Sequence, residues 1–254
     1  MHAVQRLFHY RKSIATKPFK ARGYNVKRCD DCRIALDFCI CQHKPQCDSK
    51  AAFLLLMWDD EVLKPSNTGR LIADLIEDTH AFIWRRTDID QALLATINDP
   101  QYQPFIVFPA DYANEQQQVI HKVSDIELGN KTPLFILLDG SWREAKKMFR
   151  KSPYLASFPV LSINLDSQDE RHRLRKANGD DRLATAEVAA HVLRSYGEIA
   201  PAEIANGNLL DLWFDTFSQQ YKVGATLRTP INLDALPELI AHNELTRTNN
   251  QQSD

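Results

Sequence analysis

The chain has 254 residues, 44% apolar and 25% charged, with a formal net charge of −2, the profile of an ordinary soluble globular protein with enough length to bury a substantial core. No run approaches the roughly eighteen apolar residues of a membrane helix, and the N-terminus lacks the apolar stretch of a secretory signal. No membrane partner and a cytoplasmic location are therefore the expectation.

The near-neutral total hides an uneven distribution. Residues 1–28 contain Arg6, Arg11, Lys12, Lys17, Lys20, Arg22, Lys27 and Arg28 and no Asp or Glu. Such an arm suits a polyanionic partner, although solvated basic tails are common. All five cysteines follow, between Cys29 and Cys47. A disulfide framework would spread them along the chain, whereas clustering in a reducing compartment points to a metal. Cys29-x2-Cys32-x6-Cys39-x-Cys41 supplies four thiolates, a set that closes a tetrahedral structural zinc site. His43 and Cys47 stand close by as substitutes for one ligand, and free thiols are the plainer alternative.

Past residue 50 the pattern changes. Buried-strand runs are expected at 53–58, 81–84, 104–108, 134–138 and 159–163, and helices at 67–77, 89–97, 142–151, 185–196 and 208–222. Continuous apolar strands alternating with helices predict an α/β fold, a mostly parallel sheet with helices on both faces. Residues 1–50 then form a basic arm and a small zinc-binding segment. Residues 51–230 form the main α/β domain, and 231–254 a polar C-terminal tail.

Several stretches carry chemistry. Lys64-Pro65-Ser66-Asn67-Thr68-Gly69-Arg70 opens a helix: Pro65 stops the strand, and Ser66 or Asn67 can cap. The helix N-terminus, flanked by Lys64 and Arg70, offers N–H groups to an anion. Leu137-Leu138-Asp139-Gly140-Ser141-Trp142 runs from a strand into a helix, at the strand edge where open α/β sheets bind ligands. Gly140 permits a tight turn and Ser141 can cap. Asp139 there either acts as a base or orients a substrate, or else serves only the backbone of a routine turn. Arg143, Lys146, Lys147, Arg150 and Lys151 share one face of the next helix, with Trp142, Ala145 and Phe149 opposite. That face suits phosphates, a solvated surface being the plainer reading. A second basic stretch, with Arg173 and Arg175, leads to Thr185, a reasonable N-cap, and Glu187. Glu187 either complements the helix dipole or faces the pocket.

In order, the cysteine cluster, the Lys64–Leu71 segment, Phe108-Pro109, the Asp139–Trp142 turn, the Arg-Leu-Arg-Lys run at 173–176 and Leu183-Ala184-Thr185-Ala186-Glu187 resemble the DTW-domain family, the tRNA-uridine aminocarboxypropyltransferases. Ser141 stands where the name-giving Thr would be, Trp58 where relatives often have His, and Ala184 where they often have Ser. The resemblance implies a fold related to the SPOUT methyltransferases, with S-adenosylmethionine held by loops at the strand ends. Its implied contacts are Lys64, Asn67, Arg70, Phe108, Pro109, Ser141, Thr185 and Glu187. It implies transfer of the 3-amino-3-carboxypropyl group to N3 of a uridine in the tRNA variable loop, leaving methylthioadenosine.

Under that resemblance Asp139 is the expected base, Trp142 shapes the pocket, and Lys64 or Arg70 holds the amino-acid carboxylate. Arg143, Lys146, Lys147, Arg150, Arg173 and Arg175 are expected to hold the tRNA, and Cys29, Cys32, Cys39 and Cys41 a structural zinc. Two rivals stand beside it: a SPOUT-like RNA methyltransferase, and a non-catalytic zinc-ribbon RNA-binding protein.

Overall fold

Six strands pair side by side in the computed structural model, which describes residues 1–20, 23–163, 183–226 and 234–251. They are β1 (Ala52–Met57), β2 (Thr79–Ile83), β3 (Tyr102–Val107), β4 (Val119–Ile120), β5 (Thr132–Asp139) and β6 (Val160–Leu161). Their order is β2-β1-β5-β3-β6-β4, and every pairing is parallel. The helices are α1 (Ala3–Ser13), α2 (Gly69–Leu75), α3 (Gln91–Ile97), α4 (Trp142–Arg150), α5 (Thr185–Tyr196), α6 (Ala202–Thr226) and α7 (Ala235–Gln251).

The unbroken apolar run of β1 has a direct cause. Successive side chains point to opposite faces, and both faces are covered. Phe53, Leu55 and Met57 enter one core with residues of α2, α5 and α6. Ala52, Leu54 and Leu56 enter another with residues of α3 and α4. β5 divides likewise, Phe135 and Leu137 to the first core and Leu134 and Ile136 to the second. The parallel α/β sheet with helices on both faces is thus as expected.

Three elements lie where no regular structure was expected. Helix α1 occupies the basic arm, and its Val4 is fully buried in the larger core. Helix α7 occupies the segment read as a polar tail and buries Ala235 and Leu239, one turn apart. The short edge strand β4 pairs with β6 through two residues, too few to leave an alternating pattern. Helix α6 also starts earlier than expected, because Glu203 sits near its N-terminus, where its carboxylate accepts from Lys50 N and Ser49 Oγ.

Candidate active site and metal cluster

Parallel strands put all their carboxyl ends at one edge, and the loops leaving β3, β5 and β6 enclose a cavity there of about 660 Å³. β5 is fifth in sequence yet lies between β1 and β3, so connections diverge around it and leave a crevice. The walls are mainly apolar and include Phe108, Pro109, Leu138, Trp142 and Val188, with Ser141, Ser162 and Thr185 as the polar residues. Phe108 is clamped between two rings: Trp142 stacks on it at 5.3 Å and Phe149 at 4.6 Å. Trp142 thereby shapes the wall.

Asp139 sits behind that wall, 3% exposed. Its Oδ1 accepts the Thr185 hydroxyl at 2.6 Å and its Oδ2 the Asn67 amide at 2.7 Å. Burial, aided by the nearby Glu61 charge, pushes its carboxyl up to about 6; the Thr185 and Asn67 hydrogen bonds and Lys64 pull the other way and lose. Gly69 is required by the same geometry, since a Cβ there would lie 2.5 Å from Asp139 Oδ2.

The structure brings Asp139, Asn67, Lys64, Ser141, Thr185, Trp142, Phe108 and Pro109 to this edge, with some adjustments of role. Asn67, not Ser66, tends the start of α2, accepting from Arg70 N at 3.2 Å. Ser141 caps α4; its amide and hydroxyl both donate to Glu144. Thr185, expected as an N-cap, is the first residue of α5, because its hydroxyl gains more from a buried carboxylate than from a backbone amide. Glu187 accepts from Ala184 N at 2.7 Å, so it tends the helix start. Lys64 donates to Glu61 at 2.5 Å, a partner the sequence reading missed, although a spacing of three within a tight turn is a usable signal.

Arg70 does not join them. One residue past Gly69 on the helix, it turns about 100° away and is buried against Phe217, 4.6 Å from the ring centroid. Its neighbours are Asp74 at 3.7 Å and the Asp31 carbonyl at 3.3 Å.

Beside the apolar cavity, a larger hollow of about 890 Å³ runs along α4, lined by Arg143, Lys146, Lys147 and Arg150 together with Trp58. Arg143, Lys147 and Arg150 are exposed. Trp58 stacks on Trp84 at 5.2 Å, and Lys147 lies 5.0 Å over its ring. That position therefore packs the strand edge and offers no imidazole chemistry. Arg11 of the basic arm is engaged internally, forked onto Asp59 at 2.7 and 3.1 Å. Arg173 and Arg175 lie outside the described residues.

The Sγ atoms of Cys29, Cys32, Cys39 and Cys41 all lie within 4.8 Å of one another. The Cys29–Cys41 and Cys32–Cys39 separations are 3.6 and 3.7 Å. Zinc–sulfur bonds of about 2.3 Å set tetrahedral sulfur–sulfur edges of about 3.8 Å, so the donor set and spacing fit zinc. A tight hairpin arranges the first pair: Arg33 N bonds Cys29 O, and Arg28 bridges Ala35. Arg33 takes the left-handed conformation, φ +58°, rare for a residue with a side chain. Burial pushes the Cys32 thiol up to about 11, a penalty that a bound metal reverses.

A model of the DTW domain matches residues 26–222, which include the cysteine cluster, the apolar cavity and the basic face of α4. The chain belongs to the DTW domain family. That family is associated with tRNA modification. The match does not extend over α1 and α7. No solved structure matches the chain. No helix among the described residues is long and apolar enough to cross a membrane.

Proposed function

We propose that this DTW protein is a tRNA-uridine aminocarboxypropyltransferase: it moves the 3-amino-3-carboxypropyl group of S-adenosylmethionine to N3 of a variable-loop uridine and releases methylthioadenosine. The observation that carries the reading is the arrangement at the sheet edge. An apolar cavity of nucleoside size lies against a buried carboxylate, and a basic hollow opens beside it. Apolar walls with a few placed polar groups suit the adenosine part of the donor. Cations on α4 suit the tRNA phosphates.

In this reading the uridine N3–Cγ bond forms as the S–Cγ bond breaks, and its electron pair returns to sulfur, which becomes a neutral thioether. The N3 proton must leave for nitrogen to attack. Asp139 is the acceptor, and it communicates with the cavity through Thr185, which lines the cavity and whose hydroxyl donates to Asp139: N3–H passes its proton to Thr185 Oγ1 as Thr185 passes its own to Asp139. A carboxyl titrating near 6 is ionised and ready at neutral pH. Lys64, partly exposed and ion-paired with Glu61, is the cation assigned to the donor's carboxylate, since Arg70 is buried against Phe217. Kinship with the SPOUT enzymes belongs to the same proposal.

The test is to incubate the protein with unmodified tRNA and S-adenosylmethionine, digest the RNA and weigh its nucleosides. A uridine carrying the aminocarboxypropyl group, with methylthioadenosine released, is the expected result. A methylated nucleoside would make the protein a methyltransferase. Unmodified RNA despite tight tRNA binding would make it a binding module.

A further inference from the structure

Arg70 and Arg33 are buried to 1% and 4% exposure, and neither is used by the site just described. Each has an Nε and an Nη2 that are buried with no hydrogen-bond partner among the described residues. Unmade bonds on a buried guanidinium are costly, so a compensating negative charge is the question. Asp74 is the carboxylate at hand, 3.7 Å from Arg70. It is already shared with Trp213, whose indole N–H donates to it at 3.1 Å, and with His2 at 3.4 Å. Two buried guanidinium charges thus face one carboxylate among the described residues.

A source for the missing charge lies in the cysteine loop, to which Arg70 is hydrogen-bonded. Arg70 Nη1 donates to the carbonyl of Asp31, inside the Cys29–Cys32 loop. Cys29, Cys32 and Cys41 all lie within its electrostatic reach. Arg33 directly follows Cys32 and feels both Arg70 and Asp74. Its unusual backbone lets the side chain fold inward over Phe8, 3.8 Å from the ring, and donate to the Val62 carbonyl. Four thiols bring no charge, whereas a divalent ion held by four thiolates brings two negative charges.

We infer that Arg70, supported by Arg33, is the charge partner of a divalent metal held as a tetrathiolate by Cys29, Cys32, Cys39 and Cys41. The guanidinium groups lower the energy of the thiolate form and so set the metal affinity, while the metal neutralises two cations that the core otherwise holds at a loss. The pair lies beyond the ligands themselves, where supporting groups change metal affinity by about 10- to 100-fold.

The test compares the full-length chain with Arg70→Met and Arg70→Lys, stripped by a chelator and reloaded with zinc against a chromophoric competitor. The expected result is a loss of about tenfold or more in zinc affinity for Arg70→Met, with Arg70→Lys much nearer the parent. Zinc should also raise the melting temperature of Arg70→Met less than that of the parent, because the metal-free variant no longer buries an uncompensated cation. Equal zinc affinity in Arg70→Met and parent would overturn the inference. So would an equal loss of stability in the metal-free and loaded forms, the mark of a packing role alone. If Arg70→Met does not fold, Arg33→Met takes its place in the same titration, and parent-like affinity there counts against the inference.

Discussion

In the proposed mechanism Asp139 concentrates the chemistry of the site in one side chain. Its ordinary pKa of 3.8 rises to about 6 in the folded chain, so the native state holds its proton over a range where the unfolded chain has released it. That contribution to stability is full below about pH 4 and is lost as pH rises through 6. At about 1.4 kcal/mol per pH unit the loss is about 3 kcal/mol. Asp139→Asn removes the titration. Relative to the parent, the variant should therefore gain about 3 kcal/mol between pH 4 and pH 8 in denaturant titrations, while losing turnover at every pH. A stability difference that does not change with pH would show that the carboxylate is not held as described. Thr185 separates base from strut. Thr185→Ser keeps the hydroxyl and should retain most activity. Thr185→Val leaves Asp139 without one donor and without the proposed route to the cavity, so kcat should fall by about 10²-fold or more. Parent-like kcat in Thr185→Val would remove the relay from the mechanism.

At the scale of elements, α4 carries the clearest division of labour. Ala145 and Met148 are buried against the sheet, while Arg143 and Arg150 are exposed beside the hollow. Neutralising both, as Arg143→Gln and Arg150→Gln, should weaken tRNA binding and flatten its dependence on salt by about one unit of slope per lost phosphate contact. An unchanged slope would make this a solvated face. The helix was legible in the sequence because its two faces differ so strongly. The long strands were legible because a parallel sheet covered on both sides demands unbroken apolar runs. Helix α7 was not, since it buries Ala235 and Leu239 amid mostly polar neighbours. The site divides in the same way. Asp139 and Ser141 sit in a local turn that the sequence displays. The pairing of Asp139 with Asn67 and Thr185 joins residues 72 and 46 positions apart, which only the folded sheet edge brings together. Arg70 differs from expectation for a related reason: Asn67 and Gly69 lie against Asp139, and one step of helical rotation beyond Gly69 turns Arg70 toward the cysteine loop.

The molecule as a whole ties the cysteine loop into the fold at several points. Cys32, Ile34 and Ile40 share the larger core with Phe53, Trp213 and Phe217. Ala35 packs so closely on α6 that a Cβ at Gly224 would lie 3.0 Å from its own. Asn243 of α7 donates to the His43 carbonyl. The path continues to the site: the Asp31 carbonyl takes Arg70, whose backbone amide is held by Asn67, whose side chain donates to Asp139. A metal that only stapled a separate arm could be removed with little effect on the sheet. Here, loss of the ion should loosen the loop, then α6 and α2, and with them the support of Asp139. A chelator should therefore lower the melting temperature in one cooperative transition, and activity should fall in proportion to metal lost. Restored zinc should recover both. If calorimetry instead shows a small early transition and an unmoved main one, with activity intact, the cysteine loop is an independent module and the path from Asp31 to Asp139 carries no coupling.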